Sequence, residues 1–194
     1  MLTIKVDPKE FWSDEKQEFV YFNGRTIQME HSLVSVAKWE SKWKKPFLVD
    51  EEYRKKNPIT TEMSLDYYRF MTITQNVEPE LYYSFTQKNI NDIQEYINDP
   101  STATWFGDEK KGGKKDTRPM TAERIYHLMI HYNIPFECQK WHLNRLMTLI
   151  RVCYEEEKEE NRRANGGKSG QTPKEAAMAR HNMNKARNAS RRHH

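Results

Sequence analysis

Cysteine is scarce in this sequence and long apolar runs are missing. Cys138 and Cys153 are the only cysteines among 194 residues, which is too few for a disulfide framework. No apolar segment approaches the roughly 20 residues of a bilayer-spanning helix, and the opening "LTIKVDPKEF" lacks the pattern of a signal peptide. These absences argue against secreted and membrane-spanning classes. We therefore expect reduced thiols and an intracellular protein.

An excess of either sign of charge is also missing, except near the C-terminus. The net charge is +4, and the aromatic share of 12% is high enough to build a folded core. Residues 173–194 carry six basic side chains and one acidic side chain, or +5, so residues 1–172 carry about 4 − 5 = −1. The basic character therefore belongs to the tail. Its charged residues are Lys174, Arg180, Lys185, Arg187, Arg191 and Arg192 against Glu175.

The first 30 residues have the pattern of β-structure. "EFVYF" and "RTIQM" flank Asn23-Gly24, a pair typical of a type I′ hairpin turn because both central residues of that turn need positive φ. "LTIKV" is a candidate third strand at an edge. We predict an N-terminal hairpin of two or three strands.

From Ser32 onward the apolar spacing becomes helical. Ser32, Thr60 or Thr61, Thr86 and Thr121 each precede an amphipathic segment as candidate caps, and Pro135 is placed to start a helix through "CQKWHLNRLMTLIRVC". The fold class predicted is α+β and mainly α-helical, with the hairpin packed on a helical bundle. We expect a single globular domain over 1–160, a flexible linker over 161–172, and a basic tail over 173–194 that is too poor in large apolar residues to fold as a helix alone.

The stretch "HLMIHYNIPFECQKWHLNRLM" holds the candidate ligands His127, His131, Cys138 and His142. Each pair, His127/His131 and Cys138/His142, has the i,i+4 spacing of one helix face, which would suit a zinc site or a thiol with its base. Core packing is the favoured interpretation, because Cys138 and His142 continue into an apolar stripe and no orienting group completes a catalytic set. We predict no metal, no cofactor and no enzymatic activity.

A second candidate lies in "EHSLVSVAKWESKWKKPF", where Trp39 and Trp43 stand among lysines. Aromatics interleaved with basic residues can stack on bases. The alternative is that both indoles pack on the hairpin while the lysines face solvent, and Glu30 and Glu40 in the same segment favour it. The basic tail is open to two interpretations, phosphate binding or docking on a protein partner.

These segments also carry a family resemblance. "EHSLVSVAKWESKWKKPFL", "MTITQNV", "TATWF" and "NIPFECQKWHLNRLMTLIRVC" resemble small proteins of long-tailed bacteriophages that look like tail assembly chaperones. The resemblance spans about residues 20–153. It implies a non-catalytic helper in the cytoplasm of the infected bacterial host, with the tape measure protein and tail-tube subunits as partners. Trp39, Trp43, Arg180, Arg187 and Arg191 are the partner contacts we predict.

Two other functions remain as alternatives. One is a structural component of the virion, in the tail or neck, and the other is a nucleic-acid-binding module that acts through the basic tail. We expect neither nucleic acid nor membrane as the main partner. Self-association into a homo-oligomer is left open by the sequence.

Overall fold

A computed structural model describes residues 1–14, 17–106, 119–164 and Met178. It confirms a mainly helical α+β fold. The chain divides into two compact units, Met1–Arg151 and Val152–His194. The strands are β1 (Leu2–Val6), β2 (Lys9–Ser13), β3 (Glu18–Phe22) and β4 (Arg25–Met29). The α-helices are α1 (Leu33–Trp43), α2 (Glu51–Lys56), α3 (Thr61–Met71), α4 (Gln87–Asn98), α5 (Ala122–His131) and α6 (Leu143–Ala164), and 3-10 helices cover Pro79–Ser84 and Phe136–Lys140.

The strands pair differently from the prediction. β1 pairs antiparallel with β4, and β2 pairs antiparallel with β3, so "EFVYF" and "RTIQM" do not form a hairpin with each other. The prediction of that hairpin was wrong, whereas "LTIKV" is a strand and is the partner of "RTIQM". Pairing with β1 sets Ile27 opposite Ile4 and joins apolar side chains that are distant in sequence.

Asn23-Gly24 lies opposite Asp7-Pro8, where the pairing passes from Val6↔Arg25 to Lys9↔Phe22. Gly24 has φ +73°, and a Cβ placed there would lie 2.7 Å from Pro8 N and 2.8 Å from Val6 O. Glycine is therefore required by both the backbone conformation and the close approach of the opposite strand. The pair marks a break between two ribbons, and it is not a hairpin turn.

The β1–β4 ribbon forms part of the core of the first unit. Its inward side chains Ile4, Val6, Ile27 and Met29 are at most 2% exposed. Buried residues from the helices complete this core, and they include Leu33, Val36, Trp39, Met71, Ile93, Ile125, Met129, Leu143 and Leu146. The β-structure is thus packed on helices, as predicted.

The predicted helix starts are confirmed for three helices by side-chain caps. Ser32 Oγ accepts from Ser35 N at 3.3 Å, Thr60 Oγ1 from Met63 N at 3.3 Å, and Thr86 Oγ1 from Asn89 N at 3.2 Å. α5 begins after Thr121 as predicted, but its cap bond comes from elsewhere: Ala122 N donates to Glu40 Oε2 at 2.7 Å.

The predicted helix from Pro135 onward is interrupted. A 3-10 helix ends at Lys140, Trp141 is extended with ψ 164°, and α6 begins at Leu143. Contacts with the chain near α1 replace helical bonds here, because Leu143 N donates to His31 O at 2.7 Å and Ser32 forms a bridge with His142. Cys138 and His142 therefore lie on either side of a break and not on one helix.

The second unit begins within α6. Ion pairs link Lys158 Nζ to Glu155 Oε2 at 3.3 Å and Arg162 to Glu159 Oε1 at 2.7 Å, both on exposed helix surface. α6 continues to Ala164, so it includes the first four residues of the predicted linker. The rest of that linker and the predicted basic tail lie outside the described residues, apart from Met178. Among the helices described, none combines the length and the apolar character needed to cross a bilayer.

Candidate protein-binding surface

The β2–β3 ribbon carries an exposed aromatic face. Trp12 lies directly opposite Phe19, and Glu10 lies opposite Tyr21, so these four side chains share one side of the ribbon. Trp12 is 48% exposed, Phe19 66% and Tyr21 62%. The rings of Trp12 and Phe19 meet edge to face, with centroids 5.2 Å apart and an interplanar angle of 73°. We call Trp12, Phe19 and Tyr21 the aromatic face.

Large aromatics on the open side of a two-stranded ribbon are unfavourable in water. Each aromatic side chain can bury about 150–250 Å², and a lone two-stranded hairpin is only marginally stable. Phe22, at the base of the same ribbon, is only 5% exposed. The contrast between Phe22 and the aromatic face indicates a surface suited to contact with another molecule.

The electrostatics of this ribbon are acidic. Residues 9–22 contain four acidic and two basic side chains, for a net charge of −2. Glu10 stands on the aromatic face itself, across from Tyr21, and Asp14 follows Trp12 by two residues at the end of β2. Any ligand of the aromatic face therefore meets negative charge at its edge.

The structure places Trp39 in the core and not at a binding surface. Its side chain is 1% exposed, its Nε1 donates to Met63 O at 2.8 Å, and its ring meets Phe47 edge to face. A partner cannot reach an indole enclosed in this way, which corrects its assignment as a contact. Trp43 is half-buried, with Lys42 Nζ 5.3 Å from the centroid of its ring.

The four candidate ligands are not brought together. His127 and His131 are exposed on α5, whereas Cys138 and His142 are buried near the break before α6. Within the described residues there is no group of three or more His, Cys, Asp or Glu side chains that could hold a metal ion.

A buried polar cluster, missed in the sequence, surrounds His142. His31 Nδ1 lies 2.5 Å from Tyr67 Oη, and the His31 and His142 rings have centroids 5.2 Å apart. His142 Nε2 donates to Tyr96 O at 2.9 Å while its Nδ1 accepts from Asn144 N at 3.3 Å. These bonds join the chain before α1 to α3, α4 and the start of α6, so the cluster holds the helices in register.

Burial shifts the pKa of two residues in this cluster, His31 and Tyr96. Burial lowers the pKa of His31 to about 3, and the nearby His142 charge acts in the same direction. Burial also raises the pKa of Tyr96, whose hydroxyl donates to Glu30 Oε1 at 2.5 Å. His31 is 2% and His142 7% exposed, so neither imidazole faces a substrate-accessible surface. The cluster acts as a structural junction.

Sequence reasoning missed the aromatic face, although a signal was present. "EFVYF" has aromatics at both alternating sets of positions, which is more than one buried face of a strand requires. The predicted tail contacts Arg180, Arg187 and Arg191 lie outside the described residues. Comparisons with protein-family models, with curated proteins and with solved structures found no match to this chain.

Proposed function

We propose that this protein is a tail assembly chaperone of a long-tailed bacteriophage. It binds exposed segments of the tape measure protein, recruits tail-tube subunits, and acts in the cytoplasm of the infected host without catalysis. The observation that carries the proposal is the aromatic face, where three large rings are exposed on one side of a two-stranded ribbon. The sequence resemblance described above supports the same function.

The physical role of the aromatic face follows from the energetics of interfaces. Tryptophan and tyrosine are the residue types most often found as binding hot spots, because each buries a large rigid surface with few rotatable bonds. A chaperone must keep apolar segments of a client away from one another, and an exposed apolar face of its own can do so by covering them. Trp43 and the basic tail are further candidate contacts.

Co-expression with a fragment of the tape measure protein tests the proposal. We expect the fragment to remain soluble and to co-purify with the full chain. The double substitution Trp12→Ala with Phe19→Ala should abolish most of this complex, whereas Trp105→Ala, which removes an indole that is 82% exposed elsewhere, should leave it intact. A fragment that stays insoluble, with no complex recovered, would contradict the proposal.

Mass spectrometry of purified phage particles separates a chaperone from a virion component. A chaperone leaves before the particle is complete, so its peptides should be absent or scarce. Recovery of this chain at the copy number of a tail or neck protein would instead identify it as a structural part of the virion.

A further inference from the structure

We infer that the aromatic face binds a basic amphipathic α-helix, with apolar residues toward the rings and Lys or Arg toward Glu10 and Asp14. This inference rests on the proposed function, because it names the chemistry of the partner segment that the aromatic face would take. It goes beyond that function by fixing the conformation of the segment and the sign of its charge.

Charge complementarity determines the sign of the charge that the partner segment carries. The ribbon over residues 9–22 has a net charge of −2, and Glu10 shares the aromatic face with Tyr21. A segment with lysines or arginines beside its apolar stripe gains attraction at the edge of the contact, whereas an acidic segment meets like charge. This complementarity steers association and selects among segments of equal apolar content.

The same charges disfavour two other ligands of exposed aromatics. Single-stranded nucleic acid stacks its bases on such rings, but its binding depends on cationic side chains that neutralise phosphates. Anionic membrane surfaces likewise attract basic segments. Glu10 on the aromatic face and Asp14 just after β2 are negatively charged, so they repel phosphates and anionic lipids and attract a basic protein segment.

The spacing of the rings favours a helix over an added strand. Phe19 and Tyr21 are two residues apart on one strand, which places them about 6.8 Å apart along it. Residues i and i+4 of a helix are separated by about 6 Å along its axis, so one apolar stripe can contact both rings. A strand added at the edge of β2 or β3 would leave the aromatic face uncovered.

The test uses the full chain and three synthetic peptides of about 20 residues, long enough for helix formation. The first has a leucine stripe flanked by lysines, the second has the same stripe flanked by glutamates, and the third is a scrambled version of the first without a stripe. Calorimetry at low salt should show the lysine-flanked helix binding about tenfold more tightly than either other peptide. The difference between the two helices should shrink at high salt.

Two variants locate the effect. Glu10→Lys should reduce the preference for the lysine-flanked helix by about threefold or more, as expected for an exposed ion pair. Its control, Glu95→Lys, makes the same charge change on the exposed surface of α4 and should keep the full preference. Trp12→Ala should weaken binding of the lysine-flanked helix by about thirtyfold, the scale of an interface hot spot.

Three results would overturn the inference. They are equal binding of the two helical peptides at low salt, equal binding of the scrambled peptide, and direct binding of single-stranded DNA or of anionic vesicles to the protein that Trp12→Ala abolishes. These results are distinct from failure of the proposed function. A tape measure fragment that binds through Trp12 without a charge preference leaves the chaperone proposal standing, whereas a charge-selective surface with no affinity for that fragment leaves only the inference.

Discussion

The two ribbons at the N-terminus have the same length and the same antiparallel pairing, yet their side chains lie in opposite environments. In β1–β4, Ile4 and Ile27 face each other and are at most 2% exposed. In β2–β3, Trp12 and Phe19 face each other and are 48% and 66% exposed. The break at Asp7-Pro8 and Asn23-Gly24 separates them. One ribbon is part of the core, and the other presents aromatics to solvent.

Although the two ribbons belong to one continuous stretch of chain, we expect one of them to contribute to stability and the other to binding. Substitutions in β1–β4 should change the free energy of unfolding, because they remove buried apolar surface. Substitutions on the aromatic face should change affinity for a partner and leave the core unaffected.

Ile27→Ala should lower the free energy of unfolding by about 2–5 kcal/mol, because it leaves a cavity at a fully buried position opposite Ile4. Ile27→Val removes a single methylene and should cost about 0.5–1.5 kcal/mol. Urea denaturation followed by far-UV circular dichroism measures both values. A cost for Ile27→Ala below that of Ile27→Val would show that β4 does not belong to the core.

Acid should destabilise the core through His31. The folded-state pKa of His31, about 3, lies below its value of about 6.5 in the unfolded chain, so the unfolded state takes up the proton first. The contribution of His31 to stability is therefore full above about pH 6.5, and about 1.4 kcal/mol of it is lost for each pH unit below that value until about pH 3. Denaturation midpoints at several pH values measure the slope.

His31→Asn should flatten this dependence between pH 6.5 and 4, because it removes the buried titrating ring. His127→Asn is the control, since it removes an exposed histidine on α5 and should keep the slope of the unsubstituted protein. An unchanged slope in His31→Asn would assign the acid sensitivity to other groups.

Gly24→Ala should cost about 2 kcal/mol or more. A Cβ at this position meets Pro8 N at 2.7 Å, and φ +73° alone costs a residue with a side chain about 1–2 kcal/mol. Gly24→Asn should also lose stability, since asparagine tolerates this φ but still introduces a Cβ. Thermal unfolding measures the stability of both variants. No loss of stability in either one would show that the break between the ribbons does not depend on glycine at this position.

Phe19→Ala should change the free energy of unfolding by about 0.5 kcal/mol or less, as is usual for an exposed side chain away from the core. The local loss of its edge-to-face contact with Trp12 should appear as faster hydrogen exchange within β2 and β3. A global loss as large as that of Ile27→Ala would show that the aromatic face contributes to folding.

Local signals allowed much of the fold to be predicted from the sequence. Ser32, Thr60 and Thr86 act as caps where the sequence places them, because a cap bond forms within three residues. Such contacts depend only on neighbouring residues, so a pattern is enough to find them.

The errors occurred where distant segments override local preference. Asn23-Gly24 favours a hairpin turn, but apolar β1 competes for β4 and sets Ile4 opposite Ile27. The apolar spacing from Cys138 onward continues across Trp141 and His142. The helix is nevertheless interrupted there, because the amide of Leu143 donates to His31 O. Neither partner lies within the local pattern, so periodicity could not reveal them.

The residues of the candidate site were harder to predict, because burial decides which tryptophan is available for binding. Trp39 and Trp12 are the same residue type, yet Trp39 is 1% exposed and Trp12 is 48% exposed. Packing of α1 against α3 and against Phe47 encloses the first indole, and Met63 O accepts its Nε1–H. The lysines interleaved with Trp39 and Trp43 suggested these two as contacts, and Trp12 was passed over.

Hydrogen exchange of the full chain, alone and with a soluble tape measure fragment, tests the central claim most directly. We expect amides of β1 and β4 to exchange slowly in both states, because that ribbon is buried. Amides of β2 and β3 should exchange quickly in the free protein and become protected in the complex. Protection confined to other segments, with β2 and β3 unchanged, would contradict the assignment of the aromatic face as the binding surface.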